Sequence, residues 1–100
     1  MIFRVEALPG ALVDIEEAGA WYERQRPGLG SIFVRSIQGA IEQVAEDPLR
    51  PRLRERRRNI RWILARPFPY RIVYRVQSDL LTIIAVLHSA RHERHWQRRV

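Results

Sequence analysis

From Ile2 to Glu6 apolar and polar side chains alternate, the period of a short strand. At Pro9-Gly10 the period lengthens. Leu12, Ile15, Gly19 and Tyr22 then fall on one helical face, with Asp14, Glu17 and Arg24 elsewhere. Pro27-Gly28-Leu29-Gly30 breaks this helix, and Ser31 is placed to cap the next. In the second helix Phe33, Ile37, Ala40, Ile41 and Val44 form the stripe, Arg35, Glu42 and Glu46 stay outside it, and Asp47-Pro48 ends it. So short a link predicts an antiparallel helical hairpin.

Residues 48–59 read as a loop with Pro48, Pro51 and six arginines. Three strand-like segments follow, at 60–65, 70–76 and 81–87. The breaks between them, Arg66-Pro67-Phe68-Pro69 and Gln77-Ser78-Asp79, are short enough to require antiparallel pairing. The predicted order is β-α-α-β-β-β, an α+β domain with the hairpin on one face of a mainly antiparallel sheet. In the middle segment Tyr70, Ile72, Tyr74 and Val76 share one face and Arg71, Val73 and Arg75 the other. The last segment is apolar on both faces and is expected at the centre of the sheet. With 100 residues, 1–100 is one domain.

Composition narrows the chemistry. There is no cysteine, which excludes disulfides, thiolate metal sites and a cysteine nucleophile. No secretory leader is legible at the start, and the longest apolar run, Leu80 to Leu87, is far below the roughly 20 residues needed to cross a bilayer. A cytoplasmic location and no membrane partner are expected.

Charge changes the picture more. The net charge is +7 and every basic residue is arginine. Residues 1–49 carry four arginines against eight acids, and residues 50–100 carry fourteen against three. That asymmetry calls for a polyanion or an acidic protein partner. If the hairpin covers the Ile72 face, Arg71 and Arg75 emerge on an open one, with Arg61 and the 50–58 loop as neighbours. Guanidinium groups there would bind phosphate or carboxylate in pairs of hydrogen bonds. Trp62, Phe68 and Tyr70 lie among them, as in nucleic-acid surfaces, although aromatics on strands more often serve a core.

The C-terminal run from His88 to Arg99 admits two readings. Its histidines titrate near neutrality and could move a proton, with Arg91 steadying a charged phosphorane. Equally, Trp96 could pack back on the sheet under a basic tail. His88, His92 and His95 have helical spacing, but no cysteine or carboxylate completes a metal set and none is expected. A phosphate-cradling glycine loop and a GxSxG elbow are absent, and no cofactor is expected. The acids of the first helix, Asp14 among them, read as a solvated face.

Several of these residues recur in order. Trp21-Tyr22-Glu23, Pro27-Gly28-Leu29-Gly30 with Phe33, Asp47-Pro48, Ile60-Arg61, Phe68-Pro69-Tyr70-Arg71-Ile72-Val73-Tyr74, and Val86-Leu87-His88 with Arg91, Trp96 and Arg98 form one series. It resembles the RelE/ParE toxins of type II toxin–antitoxin systems, which include plasmid-stabilisation modules. The resemblance runs over nearly the whole chain and implies the same β-α-α-β-β-β fold.

It also implies two targets. RelE-like members cleave mRNA on the ribosome with strand lysines and arginines and a C-terminal tyrosine. Arg71 and Arg91 match two of the arginines, but the lysine positions hold Trp62 and Leu64, and Trp96 lies near the tyrosine's place. Tryptophan has no ionisable proton to offer. ParE-like members act on DNA gyrase without a nuclease site, and Phe68-Pro69-Tyr70 with the His88, Arg91 and Trp96 pattern looks more like that branch. The expectation is therefore a gyrase-binding toxin, a role that needs no catalysis, with the question of enzymatic activity left open. Its contact residues for target or antitoxin are Arg61, Arg71, Arg75, Arg91, Arg94, Trp96 and Arg98. The alternatives are a ribosome-dependent endoribonuclease using Arg71, Arg91 and His88, and an inactive basic binding module. Each allows an acidic antitoxin, in a hetero-oligomer, lying over the apolar groove and the basic face.

Overall fold

In the computed structural model, which describes residues 2–90 and 94–100 and only the backbone of Arg94 and His95, both helices form where the apolar stripes place them. Helix α1 spans Pro9–Gln25 and α2 spans Leu29–Glu46. Proline at the start of α1 is tolerated because its missing N–H would have no helical acceptor. Ser31 does not cap α2. Gly28 holds the cap position with φ 88°, a left-handed conformation open to glycine, and the Glu23 carboxylate accepts from the N–H of Gly28 (2.9 Å) and of Gly30 (3.0 Å). A side chain from the preceding helix thus satisfies orphan donors of the second, which begins two residues before Ser31.

The two helices touch through glycine. A Cβ on Gly30 would lie 2.5 Å from the Gly19 carbonyl oxygen, and one on Gly19 would lie 3.3 Å from Val34 Cγ2. Close approach here lets the hairpin pack as a single layer.

The sheet order is β1-β5-β4-β3-β2, with strands Arg4–Ala7, Leu53–Glu55, Ile60–Leu64, Tyr70–Gln77 and Leu80–His88 numbered along the chain. β1 runs parallel to β5; every other pair is antiparallel. The apolar β5 is flanked on both sides, as its composition requires. The region read as a loop contains one strand, β2, whose three residues include a single apolar side chain, Leu53, too few to show a period.

Strand phasing divides the core in two. Ile63, Ile72, Tyr74, Val76, Leu81, Ile83 and Val86 face the helices and meet Phe33, Ile37 and Val44. Tyr22, Phe33, Phe68 and Tyr70 form an aromatic cluster between hairpin and sheet, with ring centres 4.8–6.1 Å apart. On the other face Ile60, Val73, Ile84, Ala85 and Leu87 lie under Trp96. Ile84 and Ala85 are consecutive yet share this face, because a bulge interrupts the β4–β5 register there. Tyr74 is fully buried and its hydroxyl donates to the Pro48 carbonyl at 2.6 Å, tying the end of the hairpin to the sheet.

Two outcomes follow from this packing. Gly30→Ala is expected to cost about 1–3 kcal/mol by forcing the helices apart. Gly39→Ala, where an added Cβ meets nothing within 4 Å, should gain about 0.5–1 kcal/mol. Urea midpoints of the two variants against the parent give both signs. The second concerns alkaline pH. Burial pushes the Tyr74 phenol up to about 12 from 10.0. With the folded value above the unfolded one, its contribution is complete below pH 10 and disappears as the pH climbs through about 12. Tyr74→Phe should flatten the fall in melting temperature across that window.

Candidate functional site

The face of the sheet turned away from the helices carries Arg71 and Arg75 from β4 and Trp62 and Leu64 from β3. It was expected to be open, and it is not. The C-terminal segment, with a short helix α3 at Arg94–Gln97, crosses it and lays Trp96, only 2% exposed, on Val73, Ala85 and Leu87. Arg71 and Arg75 are half-buried as a result. Of the two readings of the tail, the packed tryptophan is the one observed.

Two arginines hold the tail down. Arg99 donates from Nη1 to Asp14 Oδ2 (2.7 Å) and to the Ile84 carbonyl (3.0 Å), and from Nη2 to Asp14 Oδ1 (3.0 Å). Asp14 Oδ2 also accepts from the Val86 N–H at 2.9 Å. The hydrogen bonds from Arg99 to Asp14 push the guanidinium pKa further above its ordinary value. Asp14 is therefore not the solvated acid its position on the helix implied. On the same stretch of the tail, Arg58 donates to the carbonyls of Gln97 and Val100, both at 3.4 Å.

Beside the tail lies a basic basin of about 420 Å³, lined by Arg52, Arg54, Arg58, Trp62 and Trp96. The Arg54 guanidinium sits 4.5 Å from the centre of the Trp62 ring, and that of Arg71 sits 4.9 Å from the same ring. Arg58 lies 5.5 Å over Trp96 and forms a two-pronged ion pair with Glu55, at 2.7 and 2.8 Å. That pairing raises the Arg58 pKa. The Trp96 indole N–H and Arg75 Nε are buried donors with no acceptor among the described residues. Sequence reasoning gave the 50–58 loop as a neighbour of this face; it did not single out Arg52, Arg54 or Trp62 as a pocket, because strand β2 was not legible.

The other expected residues do not all gather here. Arg61 pairs in register with Tyr74, which puts it on the helix-facing side, where its Nε donates to the Pro51 carbonyl at 2.9 Å. Arg98 is exposed. His88 stands opposite Tyr70 at the end of β5, again on the helix-facing side, with the rings 5.4 Å apart. It belongs to a separate cleft of about 740 Å³ between α1 and β5, walled by Trp21, Tyr22 and Tyr70. Burial raises the Tyr22 pKa there, and the neighbouring Tyr70 adds to it. Arg71 and His88 are thus on opposite faces of the sheet. Arg91, His92 and the side chains of Arg94 and His95 lie outside the described residues. Among the described residues no three histidines or acids are grouped to hold a metal, and no helix is long and apolar enough to cross a membrane.

Comparison with known proteins places this geometry. A family model described as the ParE toxin of type II toxin–antitoxin system, parDE, matches residues 5–93. The fold is similar to a chain of the chromosomal ParDE toxin–antitoxin system from P. aeruginosa, with a TM-score of 0.77 at 14% identity, over 87% of this chain and 96% of that one. No curated protein matches the sequence.

The clamp makes an unequal prediction. Asp14→Ala leaves the Val86 N–H without its acceptor and Arg99 with only the Ile84 carbonyl, so it should destabilise by about 1–3 kcal/mol. Arg99→Ala leaves the Val86 bond intact and should cost less. Chemical denaturation of the two variants ranks them; equal losses would mean that water serves Val86.

Proposed function

Because this chain belongs to the ParE toxin family of type II toxin–antitoxin systems, we propose that it stops growth by binding DNA gyrase and is neutralised by a cognate acidic antitoxin. The observation that carries this reading is the separation of Arg71 from His88 by the sheet itself. A general acid or base must come within hydrogen-bond reach of the proton it moves, about 2.6–3.2 Å. A proton carrier on one face and a charge stabiliser on the other cannot serve one scissile phosphate. Trp96 is no substitute, being buried and without an ionisable proton.

Binding needs no such convergence. The basic face and the exposed end of the tail, Arg98 included, are the contact the reading favours, and a net charge of +7 suits an acidic partner. The antitoxin is expected to cover this charge in the resting complex, and the half-buried Arg71 and Arg75 give it an ordered surface to recognise.

Induction of the protein alone in a bacterium separates the outcomes. Gyrase-dependent DNA breaks and an induced damage response, with intact transcript ends, are expected. Transcripts cut at codon-related positions without DNA damage would replace this reading with the endoribonuclease. Unimpaired growth from a folded, expressed protein would leave the inert binding module.

A further inference from the structure

We propose that the basin between β2 and the tail is a binding site for a phosphate dianion, carried by a phosphomonoester such as a 5′-mononucleotide or supplied as free phosphate. This goes beyond the toxin reading and does not depend on it.

The charge inventory of the basin comes first. Glu55, the carboxylate that lines it, is engaged by both prongs of Arg58, so that pair contributes no net charge. Arg52 and Arg54 remain. Neither makes an ion pair among the described residues, and both line the basin. Two positive charges with no internal counter-charge match one doubly negative group.

Orientation is also provided. The Arg54 guanidinium carbon lies 4.5 Å over the Trp62 ring, a cation–π contact that holds the cation at the wall of the basin. The Trp96 indole lines the same basin and is 2% exposed, so its ring is held in place beside whatever binds there.

The choice of a monoester over a strand of nucleic acid rests on charge density. A phosphomonoester near neutral pH carries close to two charges and three acceptor oxygens on one phosphorus. A phosphodiester carries one charge per phosphate. Arg52 and Arg54 converge on one basin, whereas the exposed Arg50, Arg56 and Arg57 lie outside its lining. A single nucleotide also fits a basin of about 420 Å³.

The three tryptophans make the test direct, because Trp21 lies in the other cleft. The ¹⁵N-labelled protein is titrated with inorganic phosphate, adenosine 5′-monophosphate, or a six-nucleotide RNA with hydroxyls at both ends, in chloride buffer of constant ionic strength. The indole signals of Trp62 and Trp96 should move to saturation with phosphate and with the mononucleotide while that of Trp21 stays. Equal affinity for those two identifies the phosphate group alone as the ligand; a tenfold advantage for the mononucleotide adds the nucleoside. Arg54→Gln and Arg52→Gln, each checked for an unchanged melting temperature, should each weaken binding about tenfold or more. Binding of the RNA as tightly as the mononucleotide would overturn the proposal in favour of a strand-binding surface. Affinity unchanged in both variants, or no saturable shift, would reduce the basin to a solvated basic surface.

Discussion

Three parts of the chain meet at the Asp14 carboxylate. It sits on α1, accepts from the backbone of β5, and is gripped by Arg99 from the tail. The need for it arises in the sheet. β1 pairs with β5 only from Leu80 to Ile83, so from Ile84 onward β5 has an edge without a strand beside it. Backbone groups left unpaired close to a core are costly, and a bare edge invites wrong pairing. Asp14 takes the Val86 N–H and Arg99 takes the Ile84 carbonyl, so side chains stand in for the missing strand. One ion pair therefore closes the sheet edge, positions the hairpin and fastens the tail.

Fastening the tail determines what kind of surface the second sheet face becomes. With Trp96 docked, the apolar residues of that face form a second core, and its arginines are held between sheet and tail. The arginines then sort by use. Arg99, Arg58 and Arg61 spend their hydrogen bonds on carbonyls and carboxylates of the chain itself. Arg52 and Arg54 do not. The excess charge counted from composition therefore overstates what is available to a partner; what is left is Arg52 and Arg54 at the basin and exposed arginines around it such as Arg50, Arg56, Arg57 and Arg98.

The sequence was legible wherever a period could repeat. Both helices, the three long strands and the division of β4 into an Ile72 face and an Arg71 face follow from spacing alone. Features made by contact across the chain were not legible. Glu23 serves where Ser31 was expected because α2 starts at Leu29, so Ser31 lies inside the helix and the orphan N–H groups of Gly28 and Gly30 precede it. Asp14 reads as a surface acid since nothing near it in sequence announces Arg99, 85 positions away. Strand β2 is too short to carry a pattern. The packed tail was weighed from its composition, but an open basic face was expected all the same.

Several of the residues that carry the family likeness share one job. Tyr22, Phe33, Phe68 and Tyr70 are the aromatic cluster that joins the hairpin to the sheet, and Gly30 is the point where the helices touch. These are packing requirements, and they can persist while most other positions change. A TM-score of 0.77 at 14% identity shows the fold shared where few residues are. It follows that the signature reports the scaffold and is a weak guide to the target. Discrimination between partners falls to positions the packing leaves free, the exposed arginines of residues 50–58 and the outer side of the tail. Those positions differ in kind from the cluster, because changing them alters charge and reach without opening the core.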